Sequence, residues 1–260
     1  GTQGITVTAS ALSAANSITV TDNGANKTSS VTGGAGDDTY KVTINHATAL
    51  AAADTFTGGK GTDELIITGG NASLTQAAQT GVTAIEKITF INPAAKTLAY
   101  TLADASFVTT ALGVTNGVVD ASGMTGAVGL SLSADPAASA VTGITITGSA
   151  GVDALRGSAS GADNISAGGG NDTITFATNG QLTALDVVDG GDGTDTVATA
   201  NTAIVASVLG GLSNVEKLSQ TAAGTITLSE NVVPTNFVLS ADSAQNITFN
   251  PNGDKLFIAA

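Results

Sequence analysis

Aliphatic side chains at every second position, with Ser or Thr between them, mark the clearest patterns in the chain. Ser17-Ile18-Thr19-Val20-Thr21, Gly129-Leu130-Ser131-Leu132-Ser133, Gly143-Ile144-Thr145-Ile146-Thr147 and Gly224-Thr225-Ile226-Thr227-Leu228 all follow it. A period of two puts the apolar atoms on one face of an extended backbone, so each run predicts a short, half-buried strand. Clusters of Gly, Asn and Asp between the runs predict tight turns. Ala47–Ala53 and Leu74–Thr80 suggest short helical turns, but neither sustains a 3.6-residue period. The chain reads as overwhelmingly β.

The pattern repeats on a larger scale. Gly58-Gly59-Lys60-Gly61-Thr62-Asp63 recurs as Gly190-Gly191-Asp192-Gly193-Thr194-Asp195, and Gly81-Val82-Thr83-Ala84-Ile85-Glu86-Lys87-Ile88 recurs as Gly211-Leu212-Ser213-Asn214-Val215-Glu216-Lys217-Leu218. Gly36-Asp37-Asp38-Thr39 matches Gly170-Asn171-Asp172-Thr173, and Phe107-Val108 matches Phe237-Val238. These intervals predict a tandem duplication of about 130 residues, with a first copy over 1–135 and a second over 136–260. No Pro- or Ser-rich linker parts the copies, so the second is expected to stack on the first.

Composition narrows the chemistry. Charged residues make up 11% of the 260 and aromatic residues 3%, so a thin layered core is favoured over a bulky one. Twenty-one acidic against eight basic residues give a net charge of −13. Such a surface repels nucleic acid and anionic membranes, and no run is long and apolar enough to insert as a helix. Seventeen of the acids are Asp, a turn former and cation ligand. Cys is absent, which removes disulfides, thiol catalysis and Cys-ligated metals, and the single His46 reads as a loop residue.

The acids gather in a nine-residue pattern, G-G-x-G-x-D-x-U-x, where U is apolar. Gly33–Lys41, Gly58–Ile66 and Gly190–Ala198 fit fully; Gly148–Arg156 has Ser at the second place, and Ala167–Thr175 has Ala at the first. Gly161-Ala162-Asp163-Asn164-Ile165 keeps the Gly-x-Asp-x-U core. A single copy would read as an ordinary type I′ or II turn. Several copies at matching internal positions point instead to one shared ligand. Glycines let backbone carbonyls converge, the Asp adds a charged oxygen, and stacked turns then surround a hard cation. Ca²⁺ takes about 6–8 oxygens in irregular geometry, whereas Mg²⁺ demands a stricter octahedron. The candidate metal ligands are Gly33, Ala35, Asp37 and Asp38; Gly58, Lys60 and Asp63; Gly148, Ala150 and Asp153; Asp163; Gly169, Asn171 and Asp172; and Gly190, Asp192 and Asp195. Glu86 and Glu216 read as structural, capping a turn or pairing with Lys87 and Lys217. Phe107 and Phe237 read as core.

This nonapeptide resembles that of the repeats-in-toxin (RTX) family, in which each copy forms half a coil of a parallel β-roll and calcium lies between stacked turns. The resemblance implies an all-β, parallel β-roll or β-solenoid, internally duplicated, with calcium turns. It also implies that the Asp153 and Asp172 turns share one edge, with Asp163 on the other; because residues 148–175 hold the only closely spaced motifs, Asp153 and Asp172 are expected to be the strongest shared ligand pair. The scattered motifs and the Ile/Val-Glu-Lys turns are similar to those of RTX-containing bacterial surface-layer (S-layer) proteins. That likeness implies a calcium-stabilised structural protein at the bacterial cell surface, exported by a type I-like route without a cleaved N-terminal signal. Its partners would be further copies of itself, in a sheet or filament, and a cell-surface glycan.

No nucleophile elbow, zinc-protease helix, P-loop or dinucleotide fingerprint is present, so no catalysis is expected. The alternatives are an adhesin or biofilm-matrix module, or the non-catalytic calcium-binding part of a secreted enzyme. Self-association is expected to run head to tail, between the strand-like Gly4-Ile5-Thr6-Val7-Thr8 and the apolar Lys255-Leu256-Phe257-Ile258-Ala259-Ala260.

Overall fold

The computed structural model describes residues 4–13, 18–22, 28–44, 54–69, 73–74, 81–92, 98–100, 117–126, 128–132, 143–228, 238–241 and 245–249. The segments 47–53 and 75–80, His46, Phe107, Phe237 and residues 255–260 lie outside them; Leu74 belongs to a short strand.

The strands coil into a solenoid of four parallel sheets. Sheet I stacks Thr6–Thr8, Ser30–Thr32, Thr55–Thr57 and Val82–Thr83. Sheet II stacks nine strands: Thr19–Asp22, Thr39–Ile44, Glu64–Gly69, Lys87–Asn92, Gly117–Met124, Ile144–Thr147, Asn164–Ser166, Val187–Asp189 and Leu212–Ser213. Sheet III stacks eight: Ser73–Leu74, Leu98–Tyr100, Val128–Leu132, Val152–Arg156, Thr173–Phe176, Thr196–Thr199, Lys217–Gln220 and Val238–Ala241. Sheet IV holds Ala203–Ile204, Gly224–Leu228 and Gln245–Phe249. The one helix among the described residues, Ala206–Leu209, is a single turn that buries Val208 and Leu209.

Register explains why the alternation succeeds. In-register parallel pairing puts the same position of every coil on the same face. Tyr40, Leu65, Ile88, Val119, Ile146, Ile165, Val188 and Leu212 therefore form one inward column along sheet II. Leu155, Ile174, Val197 and Leu218 form another along sheet III, and Val31, Phe56 and Val82 a third along sheet I. All of these are buried. Each such side chain contributes roughly 1.5–3 kcal/mol of burial. The outward Thr and Ser side chains bridge coils, as between Thr55 and Ser30 at 2.8 Å and between Thr68 and Thr43 at 3.0 Å.

The duplication is not in phase with the coil. Phe56 and Val188 hold matching places ahead of the two Gly-Gly-x-Gly-x-Asp turns, yet Phe56 lies in sheet I and Val188 in sheet II. The strands that follow those turns, Glu64–Gly69 and Thr196–Thr199, lie in sheets II and III respectively. The glycine–aspartate corner thus moves from the I/II edge to the II/III edge along the chain. Sheets II and III meanwhile run unbroken past residue 135.

Candidate metal centre

At these corners the aspartates stack into ladders. In the first, Asp38 accepts the Ile18 N–H at 2.7 Å, Asp63 accepts the Asp38 N–H at 2.8 Å, and Glu86 accepts the Asp63 N–H at 2.6 Å. In the second, Asp153 accepts the Leu130 N–H, Asp172 accepts the Asp153 N–H at 2.8 Å, Asp195 accepts the Asp172 N–H at 2.8 Å, and Glu216 accepts the Asp195 N–H at 2.7 Å. One carboxylate oxygen of each coil thereby satisfies a backbone donor of the coil before it.

Both ladders end in Glu. In these last turns the Gly-x-Gly segment is replaced by Ala84 and Asn214, which sit in the left-handed region at φ of 54° and 48°. The extra methylene of Glu spans to the preceding N–H, while its own backbone N–H turns to the Asp63 or Asp195 carbonyl. Capping is therefore the role of both Glu residues. The expected Glu86–Lys87 pairing does not form, because successive side chains in a strand point to opposite faces. Lys87 instead pairs within sheet II, 3.2 Å from Glu64 on the strand before it and 3.4 Å from Asp120 on the strand after it.

Asp163 stands on the opposite edge. It accepts the Ile144 N–H at 2.9 Å, and Asp186 accepts the Asp163 N–H at 2.8 Å. Asp54 plays the corresponding part for the Ser29 N–H at 2.8 Å. Asp54 and Asp186 carry no glycine motif and escape a motif search. The signal that finds them is the duplication: they are separated by the same interval as Asp63 and Asp195.

The second carboxylate oxygens divide the turns. Oδ2 of Asp63, Asp172 and Asp195 is buried and meets no hydrogen-bond donor. Burial, helped by neighbouring aspartates and opposed by the ladder hydrogen bond, pushes the Asp63 carboxyl up to about 6 and that of Asp172 to about 7. Burial likewise raises Asp195 and takes Glu86 to about 7. Unpaired buried carboxylates are costly, and a bound cation is the ordinary remedy. The surrounding donors are backbone and carboxylate oxygens, which suits a hard cation such as Ca²⁺.

The remaining candidates surround this ladder without joining the free oxygens. Asp37 and Asn171 are exposed, and each accepts a backbone N–H from the next coil, Thr62 at 2.8 Å and Thr194 at 2.9 Å. Lys60, Ala150 and Asp192 are exposed and pair through their backbones, Lys60 N–H to Gly34, Ala150 N–H to Met124 and Asp192 N–H to Gly168. Gly33, Gly58, Gly148, Gly169 and Gly190 likewise donate to neighbouring coils. Asp153, expected as the leading ligand with Asp172, has both oxygens taken by Leu130, Ser149 N–H and Ser149 Oγ.

Glycine is required where the coils press together. Gly168 has φ of +102°, and a Cβ there would fall on the Ser149 carbonyl; its neighbour Gly169 has the nearest atom 3.7 Å from such a Cβ. Gly168→Ala is expected to destabilise by about 1–3 kcal/mol or more, and Gly169→Ala far less. Thermal melts of the two variants check this.

Four copies of the RTX calcium-binding nonapeptide repeat are matched, over residues 44–74, 158–175 and 185–200. No curated protein and no solved structure matches the chain. The matched stretches contain Asp63, Asp163, Asp172 and Asp195, and so include every described aspartate with a buried, donorless Oδ2. The turns at 33–38 and 148–153 lie outside them. The chain is an all-β parallel solenoid carrying RTX calcium-binding repeats. Among the described residues no helix is long and apolar enough to cross a membrane.

Proposed function

We propose that this chain is a calcium-stabilised structural module, secreted to the bacterial surface, that assembles with its own copies into a layer or filament and has no catalytic role. The observation that carries the calcium reading is the set of buried carboxylate oxygens without donors at stacked turns. Calcium supplies the positive charge these corners lack, so its binding free energy adds to folding. The assembly reading draws on the scarcity of Lys and Arg and on the hydroxyl-rich sheet surfaces.

Light scattering and negative-stain electron microscopy across a calcium titration test assembly. Ordered sheets or filaments that appear with millimolar Ca²⁺ and dissolve in chelator are expected. A monodisperse monomer at high protein concentration and saturating calcium would reject self-assembly and favour an adhesin or a module of a larger secreted protein.

A further inference from the structure

We propose that the six motif turns are of two kinds: three are cation sites, at Asp63, Asp172 and Asp195, and three, at Asp38, Asp153 and Asp163, are closed by the chain's own donors. The inference rests on the calcium reading above and fixes which residues carry it.

In the closed turns both carboxylate oxygens meet a donor of the chain itself. Asp38 Oδ2 accepts the Gly34 N–H at 2.7 Å. Asp153 Oδ2 accepts the Ser149 N–H at 2.7 Å, and Asp163 Oδ2 accepts the Ser158 N–H at 2.8 Å. Both serines add a hydroxyl to Oδ1 of the same carboxylate, at 2.9 and 2.5 Å. Ser149, four residues before Asp153, and Ser158, five before Asp163, thus supply the donors that a cation would otherwise replace, while the Asp38 turn does so with the Gly34 N–H alone.

The open turns differ in backbone. Gly59 and Gly61 both have φ of +118°, Gly168 and Gly170 have +102° and +121°, and Gly191 and Gly193 have +91° and +144°. Gly34 and Gly36 are not among the left-handed glycines, and the Asp163 turn has Gly161 alone. A left-handed pair presses the turn onto the carbonyls of the coil before it. A Cβ on Gly59 would fall on the Gly34 oxygen, one on Gly191 on the Gly168 oxygen, and one on Gly193 on the Gly170 oxygen. In the Asp195 turn the second-place N–H goes to Asp189 at 3.2 Å instead of to Asp195. Beside Asp63 and Asp195 the glycine that opens the turn packs against both the donorless Oδ2 and a carbonyl of the following coil, that of Ala84 and of Asn214. Asp163 and its neighbour Asp186, with Oδ2 bound to the Thr183 N–H at 2.6 Å, leave the opposite edge without a site. Among the described residues the cations thus line the carboxylate ladder that contains Asp63 or that of Asp172 and Asp195, and not the edge of Asp163 and Asp186.

Calorimetric titration of the full chain with Ca²⁺, with metal content measured on the dialysed protein, tests the division. Asp→Asn variants keep the Oδ1 acceptor and so preserve the ladder. The wild type is expected to bind three Ca²⁺, with one lost in each of Asp63→Asn, Asp172→Asn and Asp195→Asn and none lost in Asp163→Asn or Asp186→Asn. Terbium gives a second readout independent of stoichiometry. Tyr40, whose hydroxyl donates to the Thr57 carbonyl at 3.1 Å, pairs in register with Leu65, two residues after Asp63. Tyrosine-sensitised Tb³⁺ emission should therefore fall in Asp63→Asn and in Tyr40→Phe but not in Asp195→Asn. Five or six ions per chain, or an ion lost in Asp163→Asn, overturns the division while calcium binding stands. No bound ion in the wild type overturns the calcium reading itself.

Discussion

In chelator at pH 7.5 the protein is expected to melt far below its calcium-loaded form, and lowering the pH to 5 should close much of that gap. Asp63 near 6, and Asp172 and Glu86 near 7, all titrate above the ordinary carboxylate range because they are buried. A group whose folded pKa lies above its unfolded one binds more protons when folded, so stability falls as pH rises. The contribution is fully present below about pH 4 and is lost through the window from about 4 to 7. Calcium replaces those protons, so its benefit grows over the same window. At a free concentration of 100 times Kd, one site adds about 2.7 kcal/mol. For a chain of this size each kcal/mol moves Tm by roughly 2–4 °C. Calorimetric scans at pH 5, 6 and 7.5, with chelator and with calcium, measure the effect. Equal chelator melts at pH 5 and 7.5, together with no calcium shift, would show that these carboxylates are ionised in the fold as they are in the unfolded chain and hold no calcium.

Asp172→Ala and Asp172→Asn are expected to move stability in opposite directions when calcium is absent. Alanine removes Oδ1, the acceptor of the Asp153 N–H, and leaves that buried donor unpaired at about 1–3 kcal/mol. It also opens a gap between two packed coils. Asparagine keeps the acceptor and deletes a buried charge that lies close to Asp153 and Asp195. In chelator at pH 7.5 it should melt at or above the wild type. In calcium both variants should fall short of the wild type, because the free oxygen is gone. Four melting curves decide the matter, and an asparagine variant as damaged as alanine in chelator would show that the charge itself stabilises the corner.

Much of this architecture was legible from period and spacing. Alternation located strands such as Ile144–Thr147 and Gly224–Leu228, and the nonapeptide located the corners where chain direction turns. The free carboxylates at Asp63, Asp172 and Asp195 were all among the candidates named from that motif. Which turns are closed was not legible, because Gly33–Asp38 and Gly58–Asp63 have the same pattern. Their difference lies in the backbone of the coil beneath: Gly34 packs over Leu12, and Gly59 over the Gly34 carbonyl. Contacts between coils also hid the roles of Asp54, Asp186 and the two Glu residues, since each partner lies 20 or more residues away. The shift of the glycine–aspartate corner from the I/II edge to the II/III edge likewise follows from strand register.

The ladders have a direction and two terminators, and this shapes how the solenoid opens. Each carboxylate reaches back to the preceding coil, so a coil's corner N–H is protected only while the coil after it is in place. Glu86 and Glu216 close these chains of dependence separately, although sheets II and III continue between them. Opening should therefore spread as an unzipping front from each Glu toward the N-terminal side of its own ladder. The solenoid would then behave as two cooperative blocks, not one. Amide exchange would display the order directly: Asp63 and Asp195 would lose protection before Asp38 and Asp153, and the two series would keep separate clocks.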